Sequence, residues 1–210
     1  MKLFGSTRSP YVMKVFVAAH ELGVRDQIAL HPVVVSKTTT DDAVAAVNPL
    51  GQVPTLVLDS GVVLYDSLVI CEYLDALKGP GRLVPALGEA RWDVLTRHAL
   101  GQGLADVLTT LLNEHKRVDD PLHPTYVRAF EAKIQRSLGA LDGLCTEWIG
   151  RDFDLGHIAI ATALAYADFR FSTLEWRAAY PALANYYAPL AGRASMQAAK
   201  LQGPPTAPAS

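Results

Sequence analysis

The stretch Asn48–Leu74, NPLGQVPTLVLDSGVVLYDSLVICEYL, decides the fold. Two prolines bracket Leu50-Gly51-Gln52-Val53 and stop any preceding element, because Pro removes a backbone donor and Gly admits conformations that other residues avoid. Thr55-Leu56-Val57-Leu58 and Val62-Val63-Leu64-Tyr65 are short β-type runs, and Asp59-Ser60-Gly61 between them forms a tight hairpin turn. Asp66-Ser67 then supplies capping oxygens. Ile70, Tyr73, Leu74 and Leu77 recur at helical spacing, so the hairpin leads into a helix with one buried face.

Before this stretch, Lys2–Phe4 is a short strand, and Val12, Val15, Phe16, Ala19 and Leu22 mark a helix that Gly23 stops. Ile28–Val35 is β-branched and apolar but interrupted by His31-Pro32, which suits an edge or bulged strand. Thr38–Asp42 offers N-caps for a short helix through Val47. The order β-α-β-α-β-β-α lets the first two strands lie parallel across their helix, whereas the hairpin must be antiparallel. A small mixed sheet flanked by helices is expected.

After Leu77, the Gly- and Pro-rich run Lys78–Pro85 separates this α/β part from a region of helical period. Leu104, Val107, Leu108, Leu111 and Leu112 mark one helix there, and Val127, Phe130, Ile134, Leu138, Leu141, Cys145 and Trp148 a second. Ile158–Ala167 is apolar on every face, the signature of a helix at the centre of a bundle, and Pro181–Leu190 gives a last short helix. The expected division is 1–78 for an α/β ligand-binding domain, 79–88 for a linker, 89–202 for an all-helical domain and 203–210 for a disordered tail.

Composition narrows the function classes. Of the 210 residues 50% are hydrophobic and 19% charged, which excludes a disordered chain. The formal net charge of -2 falls within residues 1–78, so neither part presents a cationic surface for nucleic acid or anionic lipid. Two cysteines are too few for a disulfide framework, and the six histidines form no metal-site spacing, so no metal is expected. Met1–Gly5 begins no apolar run of signal-peptide length, and no run approaches the roughly 18 residues of a membrane span. The expectation is a soluble, cytoplasmic protein with a small-molecule partner.

Three places carry chemistry, each with two readings. Ser9-Pro10-Tyr11 opens the first helix; Ser9 is a plain N-cap, or it presents a hydroxyl to an anion at the helix N-terminus. Val53-Pro54 belongs to an ordinary loop, or it holds a cis bond that turns the Val53 N–H and C=O toward an extended ligand. Asp66-Ser67 is a cap, or its backbone amides and hydroxyl receive a carboxylate while Asp66 meets an ammonium group.

In this order, the three together resemble the N-terminal, thioredoxin-like domain of the glutathione S-transferases, of the Ser type found in bacteria. The resemblance extends through Leu83-Val84-Pro85 to a helical domain whose central helix opens at Phe153-Asp154 and continues Ile158-Ala159-Ile160-Ala161. It implies an α/β thioredoxin-like domain followed by an all-α bundle, acting as a twofold homodimer in detoxification. It also implies that Ser9 directs its hydroxyl at the glutathione sulfur and that Val53, before Pro54, pairs with the cysteinyl residue. By the same resemblance Ser67 with Asp66 holds the γ-glutamyl end and Gln52 lies near the glycyl carboxylate. Arg8 and Tyr11 are candidates for the pocket of an apolar electrophile held between the domains, although a solvated charge and a packing ring fit those positions equally. The family's usual reciprocal cap at the central helix is Ser or Thr with Asp three residues on; here the pair is Asp154 and His157, and His157 is expected to be a poor reciprocal acceptor.

Cys71 and Cys145 fall on helical faces and are read as packing, and Ser6-Thr7-Arg8-Ser9 lacks the Cys of the family's isomerases and thiol transferases. The reactive sulfur is therefore expected to arrive with glutathione. Conjugation to a small electrophile is the leading expectation; a catalytically weak binding or assembly module, and a glutathione-dependent peroxidase or disulfide reductase, are the alternatives.

Overall fold

The computed structural model describes residues 1–36, 38–117 and 123–203; the expected disordered tail lies outside them except for Gly203. The chain separates into two compact units, one of residues 1–95 together with 194–203, the other of residues 96–193.

In the first unit, β1 (Lys2–Gly5) leads to α1 (Pro10–Glu21), β2 (Ala29–Pro32), α2 (Asp42–Ala45), β3 (Thr55–Val57), β4 (Val63–Leu64) and α3 (Ser67–Leu77). The sheet order is β2-β1-β3-β4. β1 and β2 pair in parallel, while β3 is antiparallel to both β1 and β4. This is the mixed, four-stranded thioredoxin-like arrangement. Pro32 closes β2 at the sheet edge, where its missing N–H leaves no ladder bond unmade. β2, β3 and β4 are shorter than the apolar runs that contain them, and Val33 and Val44 pack with Phe4 beside the sheet. α1 buries Val12, Val15 and Phe16, α3 buries Ile70, Cys71 and Leu74, and the two helices pack on each other.

The Gly- and Pro-rich run after α3 is held by one side chain. Asp75, buried in the last turn of α3, accepts backbone N–H bonds from Gly81 at 3.2 Å, Leu83 at 3.1 Å and Val84 at 3.1 Å. A carboxylate accepting several amides satisfies groups that a linker without secondary structure would otherwise leave unpaired.

The boundary between the units falls within α4 (Glu89–His115). The second unit continues with α5 (Pro124–Leu144), α6 (Leu155–Arg170), α7 (Trp176–Ala179) and α8 (Pro181–Ala191). α6 is buried almost throughout, from Leu155 to Leu164, which places it at the centre of that unit. At Gly101 a Cβ would come within 2.6 Å of the Ala159 carbonyl carbon and the Ile160 nitrogen, so this close approach of α4 to α6 requires the absence of a side chain.

The start of α6 departs from expectation. His157 N–H donates to Asp154 Oδ1 at 3.0 Å, and Asp154 N–H faces His157 Nδ1 at 3.4 Å, so both halves of a capping box are present. Both halves of the box are therefore in place, which departs from the expectation of a poor partner; His157 Nδ1 also lies 2.8 Å from Asp154 Oδ1, where the imidazole supplies the proton, and Nε2 lies 3.4 Å from the Trp148 carbonyl. Arg97 completes the group: its guanidinium donates to Asp154 Oδ1 at 3.0 Å and Oδ2 at 2.7 Å, with Nη1 3.2 Å from His157 Nδ1. Burial opposes the charge on Asp154, yet the bonds from His157 and Arg97 outweigh it and hold its carboxyl down to about 2.

The last helix, α9 (Ala194–Ala198), belongs to the first unit, where it packs on α1.

Candidate functional site

Strand directions bring the three candidate segments to one end of the sheet. β3 runs opposite to β1, with Phe4 paired to Thr55, so the loop leaving β1 and the loop entering β3 lie together. β4 runs opposite to β3, with Leu56 paired to Leu64, so Tyr65-Asp66-Ser67 emerges at that same end. The loops bearing Ser9, Val53 and Ser67 are neighbours by topology although up to 58 positions separate them in the chain.

Ser9 is the N-cap of α1, its Oγ accepting from Val12 N–H at 3.4 Å. The cap uses an oxygen lone pair and leaves the hydroxyl proton uncommitted among the described residues. Ser9 N–H in turn donates to the Ser6 carbonyl at 3.0 Å, closing a tight turn between β1 and α1. The Val12 side chain lies against Gly5, where a Cβ would meet it at 2.8 Å, so the helix start sits directly on the end of β1.

The second segment is organised by Asn48, which is 1% exposed. Its Nδ2 donates to the Gln52 carbonyl at 3.2 Å and to Thr55 Oγ1 at 2.9 Å, and its Oδ1 accepts Leu50 N–H at 3.0 Å. Thr55 Oγ1 donates to the same Gln52 carbonyl at 2.8 Å. Gly51 has φ of +60°, and a Cβ there would come within 2.6 Å of Thr40 Cγ2, so both backbone and space demand glycine. The Val53–Pro54 bond is cis, as is Tyr65–Asp66. With Gln52 and Thr55 turned inward onto Asn48, neither the N–H nor the C=O of Val53 has a hydrogen-bond partner among the described residues. Gln52 directs its carbonyl inward, while the residue itself is exposed.

Asp66 caps α3, accepting from Leu68 N–H at 3.0 Å, and Ser67 is the first residue of that helix, 1% exposed. Helix N-terminal amides there and at α1 present partial positive charge toward the same end of the sheet. Arg8 is exposed and Tyr11 half-buried, both beside Ser9 in the chain.

The cysteines take no part. Cys71 is fully buried on α3; burial pushes its thiol up to about 12, against the opposing pull of the Lys14 ammonium. Cys145 is also buried, and burial raises it as well. Among the described residues no group of three His, Cys, Asp or Glu is placed to hold a metal, and no helix is long and apolar enough to cross a membrane.

Asn48 and Asp75 were not legible as organising residues. Asn before Pro49 signals only a turn, and Asp75 gives no sign in the sequence of the three amides it gathers.

The pattern described as "Glutathione S-transferase, N-terminal domain" matches residues 8–77, and that described as "Glutathione S-transferase, C-terminal domain" matches residues 124–188. An Escherichia coli (strain K12) protein, "Uncharacterized GST-like protein YibF", is 30% identical over 178 residues, covering 84% of this chain and 86% of that protein. A glutathione transferase family member from Pseudomonas fluorescens Pf-5, solved with bound glutathione, superposes with a TM-score of 0.92 at 38% identity, over 96% of this chain and 99% of that one. A glutathione S-transferase from Methylobacillus flagellatus KT, solved with glutathione bound, gives 0.84 at 32% identity over 96% and 99%. On matches spanning nearly its whole length, joined to the sheet and loop geometry above, the chain belongs to the glutathione S-transferase family.

Proposed function

We propose that the protein binds glutathione at the end of its sheet and activates the thiol for attack on a small, mostly apolar electrophile. The observation that carries this reading is the Val53 backbone, whose N–H and C=O have no partner among the described residues and lie between two helix N-termini, a ready partner for an extended peptide. Relatives 38% and 32% identical hold glutathione in their solved structures, which supports the same ligand here.

In this reading Val53 pairs with the cysteinyl backbone, Asp66 and Ser67 hold the γ-glutamyl end, and Gln52 lies near the glycyl carboxylate. Ser9 donates its uncommitted hydroxyl proton to the sulfur. A thiol of ordinary pKa, about 8.5, is mostly protonated at neutral pH; a donor and a helix N-terminus both favour the thiolate. The thiol proton passes to solvent. The sulfur lone pair then forms the bond to the electrophilic carbon, whose displaced electron pair leaves with a leaving group or settles on the adjacent atom, to be protonated by water. Arg8 and Tyr11, flanking Ser9, are assigned to the electrophile. A charge of -2 within residues 1–78 leaves attraction of the anionic tripeptide to helix termini and local amides.

The test is glutathione binding by calorimetry and thermal shift, followed by conjugation assays on parent and Ser9→Ala. Binding with conjugation, lost in Ser9→Ala while binding persists, supports the reading. Failure to bind millimolar glutathione refutes it, and binding without turnover on an electrophile panel favours a non-catalytic module. Activity confined to peroxide or disulfide substrates moves the reaction to glutathione-dependent reduction. The reading includes a cytoplasmic homodimer.

A further inference from the structure

We propose that the C-terminal strap, residues 194–203, positions the Ser9 turn through the hydrogen bond from the Gln202 backbone N–H to the Thr7 carbonyl. This rests on the reading of Ser9 as the residue that meets the glutathione sulfur.

The strap runs antiparallel to α1 and spans it from end to end. Near the C-terminal end of the helix, Ser195 Oγ donates to Glu21 Oε1 at 2.5 Å. Beyond the N-terminal end, Gln202 N–H donates to the Thr7 carbonyl at 3.0 Å. The twelve-residue helix α1, about 18 Å long, separates the Glu21 anchor in its last turn from the Thr7 anchor before its first. Ser195, Met196 and Leu201 are buried, so apolar contact supports both anchored ends. A pocket of about 160 Å³ runs along the same seam, lined by Met13 and Phe16 of α1, Ala198 and Ala199 of the strap, and Thr7 and Gln202 at the N-terminal anchor.

The N-terminal anchor acts on the turn that matters. Thr7 lies inside the turn closed by Ser9 N–H and the Ser6 carbonyl, with Arg8 N–H 3.3 Å from Ser6 Oγ. Both Thr7 and Arg8 are exposed, and within the turn Arg8 N–H faces Ser6 Oγ, Ser9 N–H donates to the Ser6 carbonyl and the Ser9 carbonyl accepts from Met13 N–H at 3.0 Å. Gln202 N–H is a distant donor, 195 positions along the chain, that ties the outer peptide of the turn to the strap. A hydroxyl-to-sulfur bond weakens steeply with angle and distance, and small displacements of a catalytic donor cost large factors in rate.

The experiment compares Gln202→Pro, which lacks the donating N–H, with Gln202→Ala, which keeps it. The readouts are the pKa of enzyme-bound glutathione thiol, from thiolate absorbance against pH, kcat and KM separately, and hydrogen exchange of the Ser9–Met13 amides. Gln202→Ala is expected to match the parent. Gln202→Pro is expected to raise the thiol pKa, to lower kcat/KM about five- to tenfold, the value of one backbone hydrogen bond, and to speed exchange at the helix start. If Gln202→Pro does not fold, Ser195→Ala releases the other anchor and is expected to shift the same readouts in the same direction. Variants indistinguishable from the parent overturn the proposal. A parent that does not bind glutathione overturns the functional reading alone; faster exchange at Ser9–Met13 in Gln202→Pro then still supports the strap, and unchanged exchange overturns it.

Discussion

Replacing Asp154 by Ala removes a helix cap and a buried ion pair in one step. The carboxylate caps α6 through His157 N–H and receives two bonds from Arg97, which is 4% exposed. Loss of a cap costs about 1 kcal/mol, and leaving a buried charge without its partner about 3–5 kcal/mol. These overlap, since one carboxylate serves both, giving about 4 kcal/mol in total. At roughly 2–4 °C per kcal/mol for a chain of this size, the midpoint of thermal unfolding should fall by about 10 °C. The assay is circular dichroism at pH 7 on Asp154→Ala in the parent and in an Arg97→Met background. In that background the buried charge is gone, and Asp154→Ala should cost only the cap. A fall below about 3 °C in the parent, or an equal fall in both backgrounds, refutes the reasoning. The pH dependence has a definite sign. The folded carboxyl lies near 2, below its ordinary value of 3.8, so its stabilisation of about 2 kcal/mol is complete above pH 4 and is lost as pH falls from about 4 to about 2.

Gly101→Ala drives a methyl into the α6 backbone and should destabilise by more than about 2 kcal/mol in urea titration, with Gly103→Ala, whose Cβ meets nothing, as the mild control. Tyr186 is 3% exposed and its hydroxyl has no partner among the described residues, so Tyr186→Phe should be neutral or stabilising by up to about 1 kcal/mol in the same assay. Cys71 should resist iodoacetamide at pH 8 in the folded protein and react once the chain is unfolded in urea, as read by mass spectrometry. Light scattering should give about twice the 22.7 kDa of the chain if the proposed dimer forms.

Much of the architecture was legible because local rules and tertiary demands agree. The hairpin of residues 55–64 follows from two β-type runs around Asp59-Ser60-Gly61, and α1 begins where Ser9-Pro10 caps it and ends at Glu21, shortly before Gly23 with φ of +67°. The all-apolar run of α6 reported its central place correctly. The His157 cap was misjudged because spacing and residue class say nothing of ring orientation; the packed ring brings Nδ1 to both the Asp154 N–H and the Asp154 carboxylate.

The sequence by itself determined the sheet elements and their order, the parallel sense of β1 with β2 and the antiparallel sense of the hairpin, because periodicity, turn chemistry and connection length are local properties; the pairing of β1 with β3 and the short helices α7 and α9 came from the tertiary structure. Only the tertiary structure decided that Asn48 gathers the Gln52 carbonyl and Thr55 and leaves Val53 unpaired, that Asp75 gathers the linker amides, and that the strap returns to Thr7. Each of these joins a polar group to a backbone group that its own segment leaves unsatisfied. Which partner satisfies it depends on where the rest of the chain has packed, and that is absent from any local pattern.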